Sequence, residues 1–135
     1  MKLSQGYVIV AALALAGCSA GMARSMGILV PGVGVTDGMR TAFCESPEVW
    51  AAELEAAKKE FAEDRQRPSV GMPACRVLAR LGAPSESRSV EVAGSPAVMH
   101  WTYWETPAGS RGRVARLVVI APGPDQRGVV ESVVW

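Results

Sequence analysis

The spacing of apolar residues changes period near Pro84, from a helical repeat to an alternating one. Before that point, Trp50, Leu54, Ala57 and Phe61 fall four, three and four apart, one stripe of an α-helix. Ser46 is a suitable N-cap and Pro47 suits the first helical position. Glu48 lies where the helix dipole favours an acid, and Arg65 and Arg67 lie where it favours bases. The pattern predicts a helix from Pro47 to about Gln66, stopped by Pro68. A second, shorter helix is predicted from Pro73 to Leu81, with Ala74, Val77, Leu78 and Leu81 facing one way. Gly82 is its C-cap and Pro84 prevents continuation. Its N-cap would be Met72, which has no side-chain acceptor.

Beyond Pro84 four strands are predicted: Ser87 to Val92, Ala97 to Trp104, Val114 to Ile120, and Val129 to Trp135. Gly94-Ser95-Pro96, Pro107-Ala108-Gly109-Ser110 and Pro122-Gly123-Pro124-Asp125 mark the turns. Connections this short favour antiparallel neighbours, because parallel strands need long crossovers. The second strand puts Met99, Trp101 and Tyr103 on one face and Val98, His100, Thr102 and Trp104 on the other. Both faces are apolar, so the sheet is expected to be covered by helices on one side and partly exposed on the other. The fold class expected is α+β, two helices packed on a three- to four-stranded antiparallel sheet.

The chain begins with a different pattern. Lys2 precedes an uninterrupted apolar run from Tyr7 to Ala16, and Leu15-Ala16-Gly17-Cys18 closes it. That is the layout of a secretory signal. The run is about half the ~20 residues that cross a bilayer. The last four residues resemble the bacterial lipobox, in which the cysteine is lipidated and the bond before it is cut. Ordinary signal cleavage after Ala14-Leu15-Ala16 is the alternative, but it leaves Cys18 without a purpose. The expected organisation is a lipoprotein signal peptide over 1–17, a flexible tether over 18–42 and the α+β domain over 43–135. The tether is rich in glycine and small residues, although Ile28-Leu29-Val30 is apolar enough for part of it to dock on the domain. Cys18 is the lipidation site. No aspartate follows it, which in bacterial lipoproteins favours the outer membrane over inner-membrane retention.

Charge narrows the function. The whole chain has 14 basic and 13 acidic side chains. Loss of Lys2 with the signal leaves a mature chain near neutrality, with no electrostatic case for nucleic acid. Glu45 to Asp64 holds seven acids and two lysines; Arg65 to the end holds nine arginines and five acids. Two solvated faces explain this, and a polar docking surface is the alternative. Cys44 and Cys75 are an even pair in an oxidising compartment. A bridge between them would close a loop of about 30 residues, worth roughly 3–4 kcal/mol in the chain-entropy model. Two buried thiols are the other reading.

One histidine and no close Cys-x-x-Cys offer too few ligands for a metal. His100 has no visible nucleophile or orienting carboxylate. Gly32-x-Gly34 lacks the third glycine of a dinucleotide loop. The chain is therefore read as a non-enzyme that uses no cofactor.

The segment Val70-Gly71-Met72-Pro73-Ala74-Cys75-Arg76-Val77-Leu78-Ala79-Arg80-Leu81-Gly82-Ala83-Pro84 resembles the signature of the SmpA/OmlA/BamE-like lipoproteins. In that family a Gly-Met-Thr opens a short helix that ends in Leu-Gly-x-Pro, and a strand with Trp-x-Tyr follows, here Trp101-Thr102-Tyr103. Pro73 stands where the family has threonine. The resemblance covers roughly the last half of the chain. It implies an outer-membrane lipoprotein on the periplasmic side, assisting insertion of β-barrel proteins or supporting envelope integrity, with the barrel-assembly machinery as partner. Trp101, Tyr103, Trp104 and Trp135 are the candidate partner contacts. Core packing competes for them, since aromatic residues dominate both cores and interface hot spots. The same fold resembles that of proteinaceous β-lactamase inhibitors, so fold alone does not give function. The alternative role is an envelope lipoprotein that binds peptidoglycan, a lipid or a periplasmic inhibitor target.

Overall fold

The structure is a computed structural model and describes residues 28–63, 65–91, 93–107, 109 and 111–135. The expected signal peptide and Cys18 lie outside the described residues. Among the described residues three helices precede four strands: α1 (Asp37–Phe43), α2 (Pro47–Ala62), α3 (Ala74–Leu81), then β1 (Glu86–Val90), β2 (Val98–Glu105), β3 (Val114–Ala121) and β4 (Val129–Val134). The architecture is α+β, an antiparallel meander in the order β1-β2-β3-β4 with helices against one face.

The expected tether is corrected by this arrangement. Residues 28–42 belong to the domain rather than to a free linker. Leu29 is buried in the core, and Thr36 starts a seven-residue helix by accepting from the Met39 N–H at 3.2 Å. The turn at Gly32 sits so close to α2 that a Cβ there would stand 2.7 Å from Leu54 Cδ1. A repeat could not reveal α1, because seven residues are barely two turns.

Ser46 caps α2 through the Val49 N–H at 3.1 Å, with Pro47 in the first turn. The helix ends at Ala62, four residues before Gln66. The Gln66 side chain instead donates to the carbonyl oxygens of Leu29 at 2.9 Å and Arg80 at 3.3 Å, tying the entering segment to α3. Trp50 and Ala57 are buried, Leu54 is half-buried, and Phe61 at the end of the stripe is exposed.

α3 is the centre of the core: Ala74, Cys75, Val77, Leu78, Ala79 and Leu81 are all buried. Its N-cap is Pro73, not Met72, and no side chain caps it. A backbone clasp to β4 takes the place of that cap. Ala74 N–H donates to Gly128 O at 3.0 Å, Gly71 N–H to Val130 O at 2.9 Å, and Val130 N–H to Met72 O at 2.8 Å. Otherwise unsatisfied groups at the helix start are thereby paired.

In the sheet, Trp101 lies opposite Ser87 and Val118, and Val118 opposite Val133, so these residues line the helix-covered face. A bulge between β3 and β4 pairs Val119 with Ser132 but Ile120 with Val130. The extra residue, Glu131, lets both Val130 and Val133 face the core although they are three apart.

Candidate interaction surface

The two-residue period of β2 sends its aromatic residues in opposite directions. Trp101 is 2% exposed and Tyr103 is 1% exposed. The Phe43 ring of α1 meets Trp101 edge-on, with centroids 5.0 Å apart. The Tyr103 hydroxyl donates to the Gly82 carbonyl oxygen at 3.0 Å, and burial holds its ionisation well above the ordinary range. These two residues are core, which corrects their candidacy as partner contacts: neither offers surface to another protein.

Trp104 and Trp135 are half-buried and keep part of their rings accessible. Trp104 lies on the other face of the sheet. Its backbone N–H donates to Ser85 Oγ at 3.4 Å, and the Arg113 guanidinium lies 5.2 Å from the ring centroid. Trp135 packs against the edge of the core, with the Arg116 guanidinium 5.2 Å from its ring. Arg116 is held in turn by Glu105 at 2.9 Å. Both tryptophans are thus partly exposed aromatic plates each faced by an arginine, an arrangement that orients the ring.

The outer face of the sheet carries Val98, His100, Thr102 and Trp104 from β2, with Leu117 and Val119 opposite them on β3. Val119 is buried, yet it stands apart from the core formed by the helices and the inner face. Val134, at the end of β4 opposite Leu117, is 61% exposed. The result is an apolar sheet face that no described helix of the core covers. His100 sits within it between Arg88 and Val119, and its ring makes no hydrogen bond to a described residue.

The uneven charge of the sequence has a specific origin. Acids of α2 pair with arginines of α3. Glu53 accepts from Arg76 at 2.8 and 3.2 Å, and Glu60 stands 2.6 Å from Arg80. The hydrogen bond that Arg76 donates to Glu53 raises the Arg76 ionisation further above its already high value. Two of the seven acids and two of the nine arginines therefore join the two helices.

Cys44 and Cys75 form a disulfide, with S–S 2.11 Å and Cα atoms 5.0 Å apart. It ties the loop between α1 and α2 to the second residue of α3. Beside it is an open cleft of about 450 Å³, lined by Asp37, Arg40, Glu45 and Trp50 among others. A second cleft of about 290 Å³ is lined by Ile28, Trp104 and Arg113. Among the described residues no group of three or more His, Cys, Asp or Glu could hold a metal ion. No described helix is long and apolar enough to cross a membrane.

Arg113 and Ser85, which frame Trp104, escaped the reading of the sequence. The hairpin register was the available signal: Trp104 pairs with Ala115, so Arg113 lies on the same face as the diagonal neighbour. Comparison with protein-family models, curated proteins and solved structures finds no match to this chain.

Proposed function

We propose that this chain is a lipid-anchored periplasmic interaction module that supports outer-membrane protein assembly or envelope integrity and performs no catalysis. The observation that carries the interaction role is the apolar sheet face around Trp104, Leu117 and Val134 that no described helix covers, opposite the core. Leu15-Ala16-Gly17-Cys18 supports the anchor, with Cys18 as the acylated residue, and the Cys44–Cys75 bond is in keeping with an oxidising compartment. More than one acyl chain gives stable attachment. The barrel-assembly machinery is the partner proposed, on the signature around Gly71 to Pro84 and Trp101-Thr102-Tyr103. Trp104 and Trp135 are the contact residues retained.

A second reading has its own observation. The cleft beside the disulfide, with Asp37, Arg40 and Glu45 on a largely apolar wall, suits a small ligand or a cell-wall fragment better than a protein face.

The test is affinity purification of the full-length chain from gently solubilised envelopes, beside a Cys18→Ala control. Recovery of barrel-assembly components with the unaltered chain alone is expected. Recovery of cell-wall proteins only, or of nothing, removes the assembly role.

A further inference from the structure

The two edges of the sheet are not alike. At the β4 edge the segment Gly71 to Pro73 is bonded to Val130 and closes part of the ladder. At the β1 edge Glu86, Ser87, Arg88 and Ser89 are all exposed, and no described strand pairs with them beyond β2. An open strand edge is a template for another strand.

The residues on this edge read Pro84-Ser85-Glu86-Ser87-Arg88-Ser89-Val90, a pattern complementary to itself about Ser87. In an antiparallel pair, opposed residues lie on one face and the two sequence numbers sum to a constant. With Ser87 opposite Ser87 of a second copy, Glu86 meets Arg88 and Arg88 meets Glu86. Ser89 and Val90 run past the first residue of the other copy's strand, since β1 begins at Glu86. Charges meet their opposites on the outer face, and Ser87 meets its own copy on the inner face. Registers centred on Glu86 or Arg88 set like charges against each other. Registers centred between two residues put an inner residue opposite an outer one, which the shared pleat of an antiparallel pair forbids.

We infer that this chain forms a two-fold dimer by antiparallel pairing of β1 with β1 of a second copy, in the register centred on Ser87. The axis runs perpendicular to the sheet, so the two sheets join into one continuous sheet. Their outer faces lie on the same side, which doubles the apolar face around Trp104. The interface is isologous, and closure leaves no free β1 edge for further growth. The inference stands whether or not the chain carries a lipid.

Two measurements test it. Sedimentation equilibrium of the full chain in mild detergent is expected to give a dimer. Glu86→Arg or Arg88→Glu alone is expected to weaken it about tenfold, since each turns two attractive pairs into two repulsive ones. The double variant, which restores both pairs with reversed polarity, is expected to return within about threefold of the unaltered chain. Independently, Ser87→Cys in a Cys18→Ala chain is expected to cross-link on mild oxidation. Ser89→Cys is expected not to, because position 89 of one copy lies four residues along the paired strands from position 89 of the other, about 13 Å. A chain that is monomeric throughout overturns the inference. So does equal cross-linking at both positions, or a double variant no better than the single ones.

Discussion

The Tyr103 hydroxyl, enclosed in the core, donates to the carbonyl oxygen of Gly82 at the end of α3. This single bond joins the central strand to the central helix. It pairs one of the carbonyls that a helix end leaves open and leaves the hydroxyl satisfied within an apolar core. Gly82 is held from the other side as well. Its N–H donates to Leu78 O at 2.9 Å, and the next residue, Ala83, donates to Val33 O at 2.8 Å. Helix, sheet and entering segment therefore meet at one residue.

Tyr103→Phe removes the hydroxyl and leaves the Gly82 carbonyl unpaired. A loss of about 1–2 kcal/mol is expected. The pH profile should change too. Burial raises the Tyr103 ionisation in the folded chain above the unfolded value of about 10, so the fold retains a proton that the unfolded chain gives up. Stability from this group is complete below about pH 10 and declines as pH rises beyond it. Denaturant titrations at neutral and alkaline pH should show that decline, and Tyr103→Phe should flatten it. An unchanged alkaline slope in the variant refutes the assignment.

Gly82 takes a positive φ of 80°, and a Cβ there would stand 2.6 Å from Val33 O and 3.0 Å from Val30 O. Both are backbone atoms and cannot swing aside. Gly82→Ala is expected to cost about 2 kcal/mol or more, from the left-handed conformation and the clash together. Gly94 is the control. It has φ 81°, and nothing lies within 4 Å of the added Cβ. Gly94→Ala should cost about 1 kcal/mol. Equal midpoint shifts for the two variants in urea would show that the contact with the 30–33 turn carries no weight.

How far the sequence disclosed this arrangement depends on the length of each element. α2, α3 and the four strands were legible because their apolar spacing holds for several repeats and each is bounded by a capping or turn residue. α1 was not, for Gly38 stands at its second position and the run is too short to show a period. Its one legible sign was Thr36-Asp37, a capping residue followed by an acid. The division of the β2 aromatics was half legible. Alternation separated Trp101 and Tyr103 from Trp104, but both sets are apolar, so the pattern could not say which face the helices cover. Contacts distant in sequence decide it: Phe43 on Trp101, and the Gly82 carbonyl within reach of Tyr103. The charge imbalance was legible as composition, while its use between α2 and α3 depended on the pairing of Glu53 with Arg76 and Glu60 with Arg80.

The Cys44–Cys75 bond spans 31 positions and anchors the loop between α1 and α2 to α3. Reduction or a Cys44→Ser, Cys75→Ser pair of substitutions is expected to remove roughly 3–4 kcal/mol. α1 should be lost first, since Phe43 and the bridge are among its main ties to the core. Thermal melts with and without reductant, read beside mass spectrometry of the unreduced chain, check both points. Two thiols that alkylate freely without reductant would remove the bridge.

The Glu60–Arg80 pair is largely enclosed, with side chains 24% and 17% exposed. A double-mutant cycle with Glu60→Gln and Arg80→Gln is expected to give a coupling of about 1 kcal/mol, at the upper end for accessible pairs. Raised salt should leave most of it intact, because a pair shielded from solvent is screened less than an open one. A coupling near zero would mean that the α2–α3 contact rests on apolar packing alone.

Trp101 and Trp104 separate stability from docking within one strand. Trp101→Ala empties a site closed by Phe43 and the helix-facing core, and a loss of about 3–5 kcal/mol is expected. Trp104→Ala removes a half-buried ring and its contact with Arg113, so only about 1–2 kcal/mol should be lost. The order reverses for binding if the outer face is the docking surface. Trp104→Ala should then fold with its disulfide intact and fail to retain envelope partners, whereas a chain altered at Arg111, in the exposed turn between β2 and β3, should retain them. Urea midpoints give the first comparison and recovery from solubilised envelopes gives the second. Partner retention by a folded Trp104→Ala chain would move the docking surface away from this face, to Trp135 or to the cleft lined by Arg40 and Glu45.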